Sequence, residues 1–457
     1  MKQKKINWMK QSFIYGMIAL LFVAFSCDEK EDIIKTFEVK VKLIYPSDYQ
    51  PQAGVMVKLE NTASVAFEAQ TDGSGVAEFN VIAGTYRITV TESRVVGTTN
   101  IIFNGAINSQ VISDPAPNAA ILIDLSLIAS ERTQIIIKEL YNGGCPRDDG
   151  SGTFSNDQYV ILYNNSFEPA TLENVCFGMI NPYNSTLSTN YDLVGGVLRY
   201  EPEGWVPAGM GIWTFQQTLT LAPCEQIVVA MRNAVDNTPT YSNSINFNNA
   251  SYYCMYDPES GFNMASYYPP PAPAIPTTHY LKAYHFGQGG AWALSQNSPA
   301  FFVFATPGDP QAFIDNEANH DFYNTSIQAN SRRKVPVEWV IDAIEVFVSG
   351  AANNMKRLNA VLDAGYVELR NTQGFTLYRN VDKAETEAIP ENEGKIVYGY
   401  SLGTQGMVID DQEINGTTDP SGIDAEASIK NGARIIYKDT NNSGNDFHQR
   451  RKASLRD

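Results

Sequence analysis

Residues 71–79 read TDGSGVAEF and residues 82–90 read IAGTYRITV, and these two stretches decide the fold of the first part of the chain. In both, a glycine-containing turn leads into residues that alternate between apolar and polar side chains. An alternation with a period of two is typical of a strand with one buried face, and Asp-Gly favours a tight turn. The pattern therefore predicts short strands joined by tight turns.

Two earlier stretches show the same alternation: residues 37–43 read FEVKVKL and residues 55–59 read VMVKL. Together with the turn spacing, they resemble the prealbumin-like, carboxypeptidase-regulatory-like β-sandwich module. The resemblance implies a spacer or stability domain without catalytic residues. We therefore predict a first β-sandwich domain over residues 36–127.

The middle of the chain contains a different set of strand patterns. Residues 134–144 read QIIIKELYNGG, residues 157–166 read DQYVILYNNS, and ATPGDP stands at 305–310. These pieces resemble the lamin-tail domain, an immunoglobulin-like sandwich, although Ile161 stands where that family has a glutamate. The resemblance implies a second sandwich over residues 132–313, with long insertions after Leu172.

The last region, residues 331–457, also reads as strands. Residues 337–347 (VEWVIDAIEVF) and 365–369 (GYVEL) are strand-like, and residues 433–447 resemble the closing hairpin of a lamin-tail-like sandwich. This C-terminal β region is either separate or part of the same sandwich unit. The predicted fold class is all-β, with tandem β-sandwiches. The whole arrangement resembles a family of uncharacterised Bacteroidota surface lipoproteins with a prealbumin-like N-terminal module.

The N-terminus has the order of a signal peptide. Four lysines lie within residues 1–10, an apolar run follows, and Ser26 precedes Cys27. The apolar run is short for a membrane span. The window 23–27 resembles a lipobox, and the acidic residues 28–32 resemble the export signal of Bacteroidota surface lipoproteins. We therefore predict a signal peptide (1–26), a lipidated Cys27 with an acidic tether (27–35), and anchoring in the outer membrane, facing the exterior, with the periplasmic face as the alternative.

Charge and cysteine content narrow the possible partners. The net charge of −17 over 457 residues repels phosphate backbones, so we expect no binding to nucleic acid.

After Cys27 the chain has four more cysteines, and an even number in an exported protein predicts two disulfides, with three pairings open. Free buried thiols are the alternative. These candidate disulfide cysteines are Cys145, Cys176, Cys224 and Cys254.

The segment 241–290 is unusually rich in tyrosine and proline, and we predict that it forms the binding surface, for a glycan or a receptor. Proline stiffens an extended loop, and tyrosine offers a large contact face with a polar tip. The alternative is that these aromatic residues pack the segment onto the sandwich. The candidate residues are Tyr252, Tyr253, Tyr256, Tyr267, Tyr268, Tyr280, Tyr284, His279 and His285.

Three other sequence patterns give little evidence for a chemical role. The two histidines of that segment have no third ligand at a telling spacing, so we predict neither a metal site nor a cofactor. Residues 439–450 are similar to a calcium loop but place Arg450 where a bidentate glutamate is required, which favours a turn. The basic run 448–452 is predicted to be a solvated tail, with a latch onto an acidic surface as the alternative.

Three functions remain. The chain contains no nucleophile elbow, zinc-protease motif or phosphate loop, so we do not expect an enzyme. The leading hypothesis is a surface lipoprotein that binds a ligand or partner, as an accessory to a TonB-dependent receptor. A structural or adhesive module without a small ligand is the alternative. A hydrolase that uses two carboxylates is the third hypothesis.

Overall fold

The computed structural model describes residues 35–457, except 64, 97–98, 114–118, 182–183, 185–191, 195–196, 288 and 323–331. The predicted signal peptide, Cys27 and the acidic run therefore lie outside the described residues. Within the described part of the chain, no helix is both long and apolar enough to cross a bilayer. The predicted all-β class is confirmed, because strands dominate and the helices are short.

The first eight strands form two sheets, which we call the N-terminal module (residues 35–131). One sheet has the order β4-β1-β7, and the other has the order β3-β2-β5-β6-β8. All neighbours are antiparallel except β1 and β7. The strands are β1 (Thr36–Ile44), β2 (Met56–Asn61), β3 (Ala66–Gln70), β4 (Val76–Ile82), β5 (Gly84–Val96), β6 (Thr99–Ile112), β7 (Ile121–Ser126) and β8 (Ile128–Glu131).

Side-chain alternation builds the core of this module. In β1, Val39 and Val41 are fully buried, whereas Lys40 and Lys42 face outward. The turn before β4 is closed by Asp72, whose carboxylate accepts hydrogen bonds from the backbone N–H groups of Ser74 (2.9 Å) and Val76 (3.0 Å). Such an Asx turn fixes the register in which β4 pairs with β1.

The rest of the chain, the large-sheet region (residues 132–457), is built on one twelve-stranded sheet. Its order is β27-β26-β23-β14-β18-β22-β21-β20-β12-β9-β28-β31. Strands from residues 132–313 and from residues 331–457 therefore share this sheet, and β28 of the later part pairs directly with β9 of the earlier part. The twelve strands are β9 (Ile135–Tyr141), β12 (Tyr159–Asn164), β14 (Val175–Met179), β18 (Gly211–Thr214), β20 (Gln226–Ala230), β21 (Tyr253–Met255), β22 (Tyr280–His285), β23 (Ala300–Ala305), β26 (Val340–Val348), β27 (Val367–Leu369), β28 (Thr376–Arg379) and β31 (Phe447–Arg450).

Smaller sheets and short helices cover the large sheet. Four of the smaller sheets have two strands: β10-β11, β13-β19, β15-β16 and β29-β30. One has three strands, in the order β17-β25-β24. Their bounds are β10 (Cys145–Pro146), β11 (Thr153–Phe154), β13 (Ala170–Leu172), β15 (Leu193–Val194), β16 (Val197–Leu198), β17 (Trp205–Gly209), β19 (Leu219–Leu221), β24 (His320–Asp321), β25 (Arg332–Pro336), β29 (Val408–Ile409) and β30 (Gln412–Glu413). The α-helices are Pro310–Asp315, Lys383–Glu387, Ala425–Lys430 and Ser443–Asp446, and 3-10 turns cover Thr277–His279, Glu317–Asn319, Val337–Trp339, Pro390–Asn392 and Ser454–Arg456.

The N-terminal module contacts the large-sheet region through side chains of β5, β6 and β8. The guanidinium of Arg87 lies 4.7 Å from the ring centre of Tyr366. The amide of Asn104 donates to the carbonyl of Thr440 at 2.5 Å, and the amide of Asn441 donates to the Ser130 hydroxyl at 2.6 Å. Among the described residues, the apolar core of the module and the largest apolar cluster of the large-sheet region are separate.

The prediction of two disulfides was wrong, because all four cysteines are free thiols. Cys176 and Cys254 belong to different apolar clusters, and Cys224 packs beside a third. The Cys145 thiol instead donates to the carboxylate of Asp157 at 3.7 Å. A disulfide needs Cα atoms within about 7 Å and Cβ atoms that face each other, and these cysteines instead pack against separate sets of neighbours.

Candidate functional site

The aromatic segment 241–290 folds back onto the large sheet. None of its nine candidate residues is fully exposed; Tyr268 and Tyr284 are buried, and the others are half-buried. The segment contributes the strands β21 and β22 to the large sheet. As a result, part of each aromatic side chain packs against surrounding residues. The structure thus shows packing by these residues, and a binding role for them remains a prediction.

The candidates nearest the start of β22 pack against one another. The His279 ring stacks on Tyr253, with ring centres 4.1 Å apart, and the His279 Nδ1 lies 3.1 Å from the carbonyl of Tyr252. Tyr256 and Tyr280 meet edge to face at 5.4 Å. These two aromatic pairs lie where β21 and the start of β22 run side by side.

Tyr267 and Tyr268 form a second group around Arg232. The Tyr267 ring covers the guanidinium of Arg232 at 4.2 Å. Tyr268 lies 5.5 Å from Trp213, and its hydroxyl accepts a hydrogen bond from the backbone of Trp292 at 3.0 Å. Burial lowers the pKa of Arg232, and the tyrosine face offsets part of the cost of burying that cation.

The remaining candidates, Tyr284 and His285, line an open cavity of about 580 Å³ at the other end of β22. We call it the β22 cavity. Its volume lies within the range of small-molecule sites. One wall comes from the aromatic segment, and the other comes from the helix Pro310–Asp315 and from β25. The lining residues are Ser260, Ala283, Tyr284, His285, Phe286, Gly287, Gln311, Ile314, Asp315 and Arg333.

His285 is held at the edge of the β22 cavity by close packing. A Cβ at Gly261, whose φ is +98°, would lie 2.6 Å from the His285 Nδ1, so only glycine fits there. The imidazole also packs on Phe262, with ring centres 4.4 Å apart. Its Nε2 has no hydrogen-bond partner among the described residues. Burial lowers the pKa of His285, so the ring is neutral at pH 7 and can accept or donate a hydrogen bond.

The opposite wall of the cavity is charged. The Arg333 Nε donates to the carbonyl of Ile314 at 2.9 Å, and its guanidinium lies 4.3 Å from the ring centre of Phe286. Burial lowers the pKa of Arg333 to about 10, which still leaves it charged at pH 7. The Gln311 amide donates to the Asp315 carboxylate at 2.9 Å, and both side chains are exposed.

Sequence reasoning placed Tyr284 and His285 in the site but missed Gln311, Asp315 and Arg333. These three lie on elements far from the aromatic segment along the chain, and the fold brings them together. The one local signal was Asp309-Pro310, an N-cap followed by proline, and the Asp309 carboxylate indeed caps the helix by accepting from the Gln311 N–H at 3.1 Å.

A second cavity, of about 630 Å³, lies between the N-terminal module and the large-sheet region. Thr91 contributes from the module, and the other wall carries mainly amide and hydroxyl side chains, including Asn380, Gln405 and Thr417. No sequence pattern pointed to it, because its residues come from five separate stretches of the chain.

The acidic stretch 439–446 is not a metal loop but part of an ion-pair cluster around Arg379. The guanidinium pairs with Asp342, with Asp439 (3.4 Å) and with Asp446 (3.7 Å), and all four side chains are buried. The predicted closing hairpin is also absent here; a single bridge joins Val381 and Tyr437, and a short helix follows. No group of three or more potential metal ligands occurs in the described residues.

The prediction of a solvated C-terminal tail was wrong for its first half. His448, Gln449 and Arg450 are buried in β31, at the end of the large sheet. Arg450 pairs with Asp457 at 2.5 Å, and the Ser454 hydroxyl donates to the buried Glu139. The strand β31 lies at the edge of the sheet, and its backbone forms hydrogen bonds with β28. The buried charged side chains form ion pairs and hydrogen bonds with one another.

The two histidines of the aromatic segment do not converge. His279 stands before the first residue of β22 and His285 is its last, so about 20 Å of extended chain separates them. A shared metal ion is therefore excluded for this pair.

The geometry defines an all-β protein with a small N-terminal module and a wide sheet, and the β22 cavity is one of several open cavities beside that sheet. Residues 222–398 match the family DUF4876, described as a protein of unknown function, and that stretch includes every residue that lines the β22 cavity. No curated protein matches this chain.

Among solved structures, a DUF4876 family protein from Bacteroides thetaiotaomicron is similar at 19% identity, covering 90% of this chain and 94% of that chain, with a TM-score of 0.48. The minor pilin GBS52 of Streptococcus agalactiae is similar at 16% identity, covering 21% of this chain and 46% of that chain, with a TM-score of 0.14.

Proposed function

We propose that this protein is a lipid-anchored surface protein that binds a carbohydrate in the β22 cavity. The observation that carries the proposal is the composition of that cavity. The aromatic residues Tyr284 and Phe286 stand beside His285 and beside the exposed Gln311 and Asp315.

A carbohydrate fits this combination for two reasons. Sugar rings present apolar C–H faces that pack on aromatic rings, and hydroxyls that need both donors and acceptors. Asp315 and Arg333 carry opposite charges, so the cavity attracts neither anions nor cations strongly. An apolar ligand would displace water from the exposed side chains of Gln311 and Asp315 without replacing its hydrogen bonds, which costs free energy.

The test is binding of the purified chain to an array of oligosaccharides, followed by calorimetry on the best binder. We expect Gln311→Ala and Asp315→Asn each to weaken binding about tenfold, because a lost hydrogen bond to a ligand costs about 1.4 kcal/mol. Glu317→Gln is the matched control, since Glu317 is exposed two residues beyond Asp315 and does not line the cavity. Equal binding by all four proteins would contradict the proposal.

Surface anchoring is the second part of the proposal and rests on the sequence around Cys27. Metabolic labelling with a radioactive fatty acid should mark the protein, and Cys27→Ala should abolish the label and release the protein from membranes. If the wild type is anchored outward, protease added to intact cells should digest it. Isolation of the labelled protein from outer membranes should also recover a TonB-dependent receptor; its absence would favour an independent binding protein.

A further inference from the structure

Lys138 occupies an irregular position in the middle of the large sheet. In the β9–β12 pair, Ile161 lies opposite Glu139 and Leu162 lies opposite Ile137, so Lys138 is the extra residue of a β-bulge. Bulges re-aim side chains away from the regular alternation. The bulge directs Lys138 into the protein, where its side chain is fully buried.

The amine of Lys138 has two close side-chain partners. The Glu426 Oε1 lies 2.8 Å from the Lys138 Nζ, and the Gln226 Oε1 accepts a hydrogen bond from it at 2.6 Å. The rings of Tyr163, Tyr378 and Tyr437 surround the amine, with centres 5.5–5.8 Å away. A buried amine, a carboxamide and a carboxylate are thus held together in a largely aromatic enclosure.

We propose that Lys138 and Gln226 form an intramolecular isopeptide bond, with Glu426 as the proton carrier. This inference is independent of the proposed carbohydrate binding. The reaction joins the Lys138 Nζ to the Gln226 Cδ and breaks the bond from that carbon to the Gln226 Nε2.

The atoms and protons balance without any co-reactant. Glu426 takes one proton from the Lys138 ammonium, and the neutral amine attacks the Gln226 carbonyl carbon. A second proton passes from the attacking nitrogen to the departing amide nitrogen, which leaves as ammonia. Ammonia then takes the proton held by Glu426, so that the carboxylate is restored and ammonium is released.

The surroundings of Glu426 suit this role. Burial alone would raise the pKa of Glu426, but the charge of Lys138 and the hydrogen bonds from Lys138 and Tyr378 together outweigh burial and lower it, so Glu426 begins ionised and can accept a proton. The Tyr378 hydroxyl donates to the same carboxylate at 2.7 Å and fixes its orientation. Holding reactants at contact distance removes most of the entropic barrier of an amide exchange. Gln226 is exposed as a residue, which gives ammonia a path to solvent.

The bond would connect β9 to β20 across β12, since β12 pairs with both strands. It would therefore staple three adjacent strands in a region whose four cysteines remain free thiols.

The test is tryptic peptide mapping of the denatured full-length chain by mass spectrometry. Trypsin does not cut after an acylated lysine, so we expect residues 133–147 to remain intact and to be joined to residues 200–232, with a total mass lower by one ammonia, about 17 Da. Lys356 is the internal control: it pairs with Glu345 at 3.1 Å and with a backbone carbonyl, but not with a carboxamide, so normal cleavage is expected after it.

Two variants separate chemistry from folding. Gln226→Ala removes an exposed side chain and should restore cleavage after Lys138 in every molecule. Glu426→Gln cannot carry the proton and should lower the linked fraction at least tenfold. Complete cleavage after Lys138 in the wild type, together with an unmodified 200–232 peptide, would overturn the proposal.

Discussion

The N-terminal module and the large-sheet region are held together in different ways. In the described part of the module, Thr71, Glu92 and Asn104 are the buried polar residues, and the core is otherwise apolar. In the large-sheet region, Arg357, Arg379 and Arg450 rank among the largest fully buried side chains, and many acids are buried with them. The module depends on alternating apolar strands, whereas the large-sheet region combines large apolar clusters with buried charges that neutralise each other internally.

This difference matters because the two kinds of core respond differently to the substitution of a single side chain. Removing an apolar side chain costs its transfer free energy and leaves a cavity. Removing one member of a buried ion pair leaves an uncompensated charge in a poorly polarisable interior. The large-sheet region should therefore be the more fragile of the two toward single polar substitutions, and the following predictions test that contrast.

The largest effect is expected for Arg379→Met. The substitution leaves Asp342, Asp439 and Asp446 buried without their shared cation, and we expect a loss of about 3–5 kcal/mol in the free energy of unfolding. Urea denaturation followed by circular dichroism measures it. Lys40→Gln, which removes an exposed pair with Glu78, is the control and should leave the midpoint unchanged. A loss below about 1 kcal/mol for Arg379→Met would contradict the role given to the buried cluster.

Leu59→Ala probes the apolar core of the module. Leu59 is fully buried, and the loss of its side chain should destabilise the module by about 2–4 kcal/mol. The described tryptophans (Trp205, Trp213, Trp292 and Trp339) all lie in the large-sheet region, so their fluorescence reports that region alone. We expect circular dichroism to show an earlier transition while tryptophan fluorescence keeps the wild-type midpoint. Identical shifts in both signals would mean that the two regions unfold as one unit.

His448→Gln should change the pH dependence of stability. Burial lowers the pKa of His448 to about 3, and the neutral ring donates from Nδ1 to the Asn380 Oδ1 (2.8 Å) and accepts from the Tyr400 hydroxyl (2.6 Å). The Asn380 amide nitrogen donates to the carbonyl of Asn445, which fixes this orientation.

In the unfolded chain, histidine takes up a proton below pH about 6.5. The contribution of neutral His448 is therefore complete above that pH and is lost as the pH falls toward 3. Asp157 and Asp446, whose pKa burial raises to about 6, give the opposite slope in both proteins and cancel in the difference. Between pH 7 and pH 5, the wild type should lose at least about 1 kcal/mol more than His448→Gln. Parallel stability curves for the two proteins would exclude the buried neutral histidine.

The smallest effect is expected at the contact between the regions. Arg87→Ala removes the cation over Tyr366 and a 3.4 Å hydrogen bond to the carbonyl of Ala364. We expect a loss of about 0.5–1 kcal/mol, since the pair is partly exposed. Differential scanning calorimetry should show the module transition separating further from that of the large sheet. An unchanged thermogram would show that Arg87 does not couple them.

The sequence predicted the module better than the large sheet, and the reason is physical. The stretch 37–43 reappears within β1, and 76–79 within β4, because alternation is a local property that a single strand must satisfy. The stretch 433–437 looked like a strand but forms only one bridge, because the Ile436 N–H donates to the Thr386 hydroxyl and the Tyr437 N–H to the Asn165 side chain, two partners that lie far away in the sequence.

The candidate site was also predicted only in part from local sequence patterns. Tyr284 and His285 were predicted from local composition, and they line the β22 cavity. Arg333 and Asp315 were not predicted, because a cavity formed by elements that meet only in the fold has no local pattern. The four cysteines were assigned to disulfides from their even number, but their distribution among separate apolar clusters is a property of the folded chain.

The most direct test of the proposed function is hydrogen–deuterium exchange on the full chain with and without the best-binding oligosaccharide from the array. The proposal predicts slower exchange in residues 283–287 and 310–315, with no change in β1–β8. Protection confined to the module, or to the cavity between the two regions around Thr417, would contradict it, and so would an array on which no oligosaccharide binds.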